Sequence, residues 1–299
     1  MRGKIVVSSL VLALSAAIAS AQSAQRKAVV PTPGVVYCSG IVTTESIPRS
    51  TYVITGEESN YRIVYNVGDD VFINKGSNDG IKAGDEFQVV RRVADPYVIQ
   101  WTAWEQQILH KMGTVWADEG RLKVLVARPK VSIARVEDAC DFVQRGDTVL
   151  PFVTRPTPEI KVDSHFDRWA PPNGKPMAMI ITGKNFMAAM GNQDVAYVNL
   201  GAGQGVKVGD YFRIFRYQGT QHETVYQTPR YAFDQEFDMG VKDVHIVGFG
   251  SVPEKWNWSN VPREDIGEGV VLRTAPNSST VLITLSLTEI YPGDYVELE

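Results

Sequence analysis

Apolar and polar residues along this chain change places at every second position, in short bursts cut by glycine and aspartate. The runs "DEFQVVR" at 85–91 and "DYFRIFR" at 210–216 are the clearest, and each alternates as a half-buried strand does. Phe87, Val89 and Arg91 share one face of the first run. Similar bursts predict strands at 121–127, 131–137, 270–273, 281–287 and 295–298, and the apolar "VVYCSGIV" at 35–42 predicts an edge strand. Helical spacing places Trp104, Ile108 and Met112 on one face, with Thr102 and Glu105 set as a capping box. Six prolines between Pro151 and Pro176 forbid continuous ladders and predict a semi-rigid connector.

The first alternating run belongs to a longer unit that occurs twice. Set against each other without gaps, "INKGSNDGIKAGDEFQVVR" at 73–91 and "VNLGAGQGVKVGDYFRIFR" at 198–216 agree at 8 of 19 positions. Upstream, Ile54-Thr55-Gly56 matches Ile181-Thr182-Gly183 with a slip of two residues. Downstream, "RGDTVLPF" at 145–152 resembles "PGDYVELE" at 292–299. Two copies of one domain is the economical reading. Gly76, Gly80 and Gly84, matched by Gly201, Gly205 and Gly209, supply the positive φ that other residues resist. Ile81 and Val206 drop into the core between these turns. Asp85 and Asp210 accept backbone N–H bonds as the chain enters its next strand. The same Gly-Asp device recurs at Gly146-Asp147 and Gly293-Asp294.

The expected fold is therefore all-β: two tandem small antiparallel β-barrels with a short helical insertion. The domains run 50–153 and 177–299, after an N-terminal segment at 22–49 and joined by a linker at 154–176. The second holds a long aromatic insertion at 218–268. A phosphate cradle would need the glycine loop to open onto a helix with a Lys-Ser or Lys-Thr pair; here a strand follows. A calcium loop on Asn78, Asp79 and Asp85 would lose most of its oxygens in the second copy, where Gly203-Gln204 replaces Asn78-Asp79.

The signature Asn-x-Gly…Gly-x-x-x-Gly-Asp-x-Phe-x-Val-x-Arg, carried here by Asn74 to Arg91, resembles the C-terminal domain of the bacterial flagellar assembly protein T family. The resemblance covers about 20 residues per copy and the terminal Gly-Asp strand. It implies an SH3-like barrel and a non-catalytic module of the cell envelope. The family's ring-building role at the flagellar motor does not transfer, because this chain has two copies and no recognisable partner domains.

Composition changes the picture in four respects. Arg2 and Lys4 precede an apolar run from Ile5 to Ile18, and Ala19-Ser20-Ala21 follows as a small-x-small cleavage pattern, so 1–21 reads as a signal peptide. The mature chain then holds 28 bases against 34 acids, a net charge of −6, with no basic stripe to bind nucleic acid. No second apolar run approaches membrane-spanning length. The expected location is exported, in the periplasm or on the cell surface. In that oxidising setting the lone pair Cys38 and Cys140 is expected to form a disulfide.

Candidate chemistry is sparse. The four histidines are scattered, no H-E-x-x-H or G-x-S-x-G pattern occurs, and the glycine loops carry no nucleophile. Asp234, Glu236 and Asp238 alternate and could line one face of a glycosidase-like or metal site, but solvated loop acids have the same look. No catalytic residue, metal or cofactor is assigned. The candidate contact residues are Trp101, Trp104, Trp256, Trp258 and Tyr231, whose rings bring large contact area at low rotamer cost. They serve equally well to close barrel ends. A scaffold or assembly subunit contacting envelope proteins is the leading expectation, and a carbohydrate- or peptidoglycan-binding module is the alternative. Oligomeric state is open.

Overall fold

The computed structural model describes residues 29–96, 100, 104–162, 166–217, 244–246, 250–252 and 262–299. The expected signal peptide, and all of the insertion at 218–268 except 244–246, 250–252 and 262–268, lie outside these residues. The chain first forms one helical turn, α1 (Pro33–Tyr37), then β1 (Ile41–Thr43). This corrects the expected edge strand at 35–42. The Thr32 side chain accepts the Val35 N–H, and Pro33 sits where a helix needs no donor, so the stretch starts helical. Only after Gly40, at φ +67°, does it extend.

Strands β2 (Val53–Gly56), β3 (Val64–Tyr65), β4 (Asp70–Ile73) and β5 (Glu86–Val93) lead to helix α2 (Glu105–Met112). Strands β6 (Thr114–Ala127), β7 (Ser132–Ala139), β8 (Val143–Gln144) and β9 (Thr148–Pro151) complete the first half. Its sheet runs β2-β4-β7-β6-β5-β9, all antiparallel, with β1 added against β6 and β3 paired to β8 at the side. The edges of this sheet meet: Tyr52 bridges Thr148, and Val53 N–H donates to the Asp147 carbonyl at 2.9 Å. Val53, Val71, Leu122 and Val136 fill the space it encloses.

The second half comprises β10 (Met177–Gly183), β11 (Val195–Val198), β12 (Tyr211–Arg216), the hairpin β13 (Val244–Ile246) and β14 (Gly250–Val252), β15 (Glu264–Ala275), β16 (Ser278–Ser286) and β17 (Tyr295–Leu298). Its main sheet is a closed antiparallel barrel, β10-β11-β16-β15-β12-β17, around Ile180, Phe212, Ile283 and Val296. Strand for strand, this order follows that of the first sheet. β17 pairs with both β10 and β12, so the C-terminal segment is built into the wall.

The matched glycine-rich segments take the same path. Each has a 3-10 turn, Ser77–Asp79 and Ala202–Gln204, and each ends at a left-handed glycine, Gly80 at φ 89° and Gly205 at φ 91°. Lys82 N–H donates to Asp85 Oδ2 at 2.8 Å, and Lys207 N–H to Asp210 Oδ2 at 2.8 Å. Gln144 and Tyr291 donate likewise to Asp147 and Asp294. Ile81 and Val206 are buried between the turns. Gly76 and Gly201 depart from expectation, since their φ values, −141° and −135°, are ordinary extended backbone. A β-carbon there would lie 1.9 Å from the Arg128 carbonyl oxygen and 2.3 Å from that of Ala275. Close approach to the neighbouring hairpin, not a turn, calls for glycine at both.

Candidate functional site

Between the sheet and the barrel lies a third apolar cluster. Val42 from β1, Leu109 and Met112 from α2 and Val115 from β6 pack against Ile181, Tyr197, Leu272 and Leu282 of the barrel. Helix α2 thus buries Leu109 and Met112 against the partner wall and leaves Ile108 half-buried. Trp104 does not join that face, contrary to the helical spacing. Its left-handed backbone at φ 64° turns the ring outward, 64% exposed.

Polar groups lock this joint. Asp118 of β6, itself buried, receives Arg155 through two bonds of 2.7 and 2.8 Å. It also accepts the Gly40 N–H at 2.8 Å and, from the barrel, Arg273 Nη1 at 3.3 Å. Arg155 continues to the Val36 carbonyl and the Gln88 side chain. Three further barrel side chains reach the N-terminal segment: Tyr197 donates to Ser39 O at 3.1 Å, Thr280 to Gly40 O at 3.2 Å, and Ser278 to Val42 O. Burial, reinforced by the Asp118 charge, pushes the Tyr197 hydroxyl pKa well up, and burial lowers that of Arg273. A buried carboxylate is tolerated here because two guanidiniums and a backbone N–H replace its water.

The described residues between Pro151 and Pro176, expected as a semi-rigid connector, are also strapped to both halves. Besides Arg155, Lys161 N–H donates to the Tyr211 hydroxyl at 2.6 Å, and that hydroxyl donates to the Glu159 carbonyl at 3.1 Å. Asn173 N–H is held by Glu297 at 2.9 Å.

The carboxylate at this point of the fold has a counterpart. Asp118 pairs with Val90 beside a β-bulge, and Asp265 pairs with Phe215 beside the equivalent bulge. Asp265 meets Arg263 at 3.1 Å and Arg213 at 3.2 Å, and burial pushes its pKa up to about 6. A second matched pair closes each β-wall. Arg91 forms two 2.8 Å bonds with Asp147, and Arg216 two of 2.6 Å with Asp294. Arg91 also faces Glu119 at 3.2 Å, whose carboxyl is pushed up to about 7 by burial.

Beside the joint, a cleft of about 330 Å³ opens between α1, β6 and the end of β7. The Cys38–Cys140 disulfide, expected from the sequence, forms part of its wall. Tyr37 and Phe152 pack against each other in its wall with centroids 5.3 Å apart, Arg155 sitting over the first ring and Arg121 over the second. Its chemistry is apolar with an acidic rim at Glu137 and Asp138.

Of the residues singled out in the sequence, the cysteines meet and the turn glycines and aspartates shape backbone. Trp101, Trp256, Trp258 and Tyr231 lie outside the described residues, as do Asp234, Glu236 and Asp238. Among the described residues no group of three or more His, Cys, Asp or Glu side chains is arranged to hold a metal ion, and no helix is long and apolar enough to cross a membrane. Neither the joint nor the cleft is visible in the sequence. The signal for the Arg91–Asp147 clamp was present, since arginine recurs at 216 and aspartate at 294. No family model matches the chain, and no curated protein matches it.

Proposed function

We propose that this is a non-catalytic, exported protein of the cell envelope, a scaffold or assembly subunit made of two tandem SH3-like barrels. The observation that carries this reading is the joint. The N-terminal segment, α2 and the proline-rich strap all pack between the two halves, and the buried Asp118 with the partly buried Arg155 and Arg273 is used in holding them together. Such a body offers partners a fixed spacing between two surfaces. The matched strand orders and matched turns support duplication of one barrel type, and the shared signature supports the SH3-like assignment. The disulfide suits an oxidising compartment. Cross-linking with mass spectrometry in the native host tests the reading. Recurrent cross-links to envelope proteins are expected, and cross-links confined to cytoplasmic proteins would contradict it.

A second reading, a carbohydrate- or peptidoglycan-binding module, draws on the closely spaced Trp256 and Trp258 of the sequence and on the exposed indoles of Trp104 and Trp169. A pull-down against purified cell-wall polymer separates the two. Saturable binding lost in Trp256→Ala and Trp258→Ala favours the polymer, whereas co-purification of a protein with no polymer binding favours the scaffold.

A further inference from the structure

We infer that a groove at the C-terminal end of α2 is a binding site for a phosphate ester. The inference goes beyond the scaffold reading and does not depend on it. The groove, about 440 Å³, lies between the loop after β1, the end of β5, the start of β6 and the last turn of α2. Its walls are fixed by contacts between these elements. In register, Thr43 of β1 faces Thr114 of β6, and Arg92 of β5 faces Trp116. The Thr43 hydroxyl accepts the Glu45 N–H at 3.0 Å and so sets the start of the loop. Helix and loop touch where Gly113 ends α2, since a β-carbon there would lie 2.1 Å from the Thr43 carbonyl oxygen.

Charge selects the ligand. Arg49 from the loop, Arg92 from β5 and His110 from α2 all line the groove, and all three are exposed. Elsewhere in this protein arginine is mostly a pairing residue: Arg62, Arg91, Arg135, Arg155 and Arg216 each hold an aspartate. The Arg49 and Arg92 side chains have no hydrogen bond, ion pair or ring contact among the described residues. Two unpaired guanidiniums from separate elements of an acidic chain thus open into one space. Against them stands Glu45, the one carboxylate in the lining. His110 and Lys111, in the last turn of α2, offset the carbonyl end of that helix. The balance left in the groove is cationic.

The kind of anion follows from the donors. Guanidinium forks pair with carboxylate or phosphate oxygens. A carboxylate is planar and offers two oxygens, whereas a tetrahedral phosphate can accept from forks on two walls and from hydroxyls as well. Thr44, Ser46 and Thr114 supply hydroxyls to the same lining. Small-molecule sites run from about 300 to 1,000 Å³, so the groove also has room for the group to which the phosphate is esterified.

The test titrates the full mature protein with glycerol 3-phosphate, glycerophosphoglycerol and acetate at constant ionic strength, followed by amide chemical shifts. Saturable shifts at 43–49, 92 and 110–116 are expected with the phosphates, and acetate should bind at least about fivefold more weakly. Tighter binding of the monoester would point to a soluble phosphorylated metabolite, and tighter binding of the diester to a lipid headgroup or surface polymer; either supports the site. Arg49→Gln and Arg92→Gln should each weaken binding about fivefold, the upper range of one exposed charge pair, and Glu45→Gln should strengthen it about twofold. Arg128→Gln removes an exposed arginine whose side chain is also unpaired among the described residues but lies outside the groove, and should change nothing. All four positions are exposed, so the fold is retained. No saturable shift, shifts located elsewhere, equal binding of acetate, or an equal loss in Arg128→Gln would overturn the inference. Native cross-links to envelope proteins alongside such a result would sink the groove alone and leave the scaffold reading standing.

Discussion

Gly40 lies so close to Tyr197 that a β-carbon on it would sit 2.3 Å from the tyrosine hydroxyl oxygen, across the boundary between sheet and barrel. The same glycine has φ +67°, where side chains are strained, and its N–H and C=O serve Asp118, Arg273 and Thr280. Gly40→Ala should therefore cost about 2–5 kcal/mol, from left-handed backbone and overpacking together. Chemical denaturation reads the loss. A change under about 0.5 kcal/mol would mean that the segment does not sit between the halves as described.

The matched clamps should behave alike. Asp147→Ala and Asp294→Ala each remove the bidentate carboxylate partner of a partly buried arginine together with a turn acceptor, and each should cost about 3 kcal/mol. Equilibrium unfolding of both variants checks this, and a large cost at only one site would show that the two walls are not held in the same way.

Glu119 sets a pH dependence. Its folded pKa, about 7, lies above the ordinary carboxylate value of 4.5, so the folded state takes up this proton first. Its contribution to stability therefore rises as pH falls through 7 and is complete below 4.5, every tenfold gain in proton affinity being worth about 1.4 kcal/mol. Asp265, at about 6 against 3.8, acts in the same direction over a lower window. Glu119→Gln should flatten the thermal midpoint between about pH 8 and 5, measured by calorimetry. An unchanged slope would place the titration elsewhere.

Reduction of Cys38–Cys140, or the double Ser variant, opens a cross-link spanning 102 residues and should cost about 4 kcal/mol in the chain-entropy model. The loss should appear in denaturant midpoints, with faster amide exchange at 36–43, where the N-terminal segment is released.

Local chemistry made the turns readable in the sequence. Gly80, Gly84 and Asp85 determine their geometry within a few residues, so the repeated spacing carried over into repeated structure. Ile81 and Val206 fell into the core for the same reason. The joint was hidden because its partners are far apart in the chain: Asp118 to Arg273 spans 155 residues and Tyr197 to Ser39 spans 158. One clue lay in the alignment of the two matched segments. Position 72, matched to Tyr197, is phenylalanine, and the extra hydroxyl in the second segment is the group that reaches the N-terminal segment. The expected helix was found with its buried face shifted, because a left-handed residue at Trp104 is invisible to periodicity.

The rigid joint is tested most directly by electron-electron distance measurement between spin labels at Lys82→Cys and Lys207→Cys, matched and exposed positions on the two halves. A single narrow distance peak that broadens in Gly40→Ala is the predicted result. A broad or multiple distribution in the otherwise unaltered protein would contradict it.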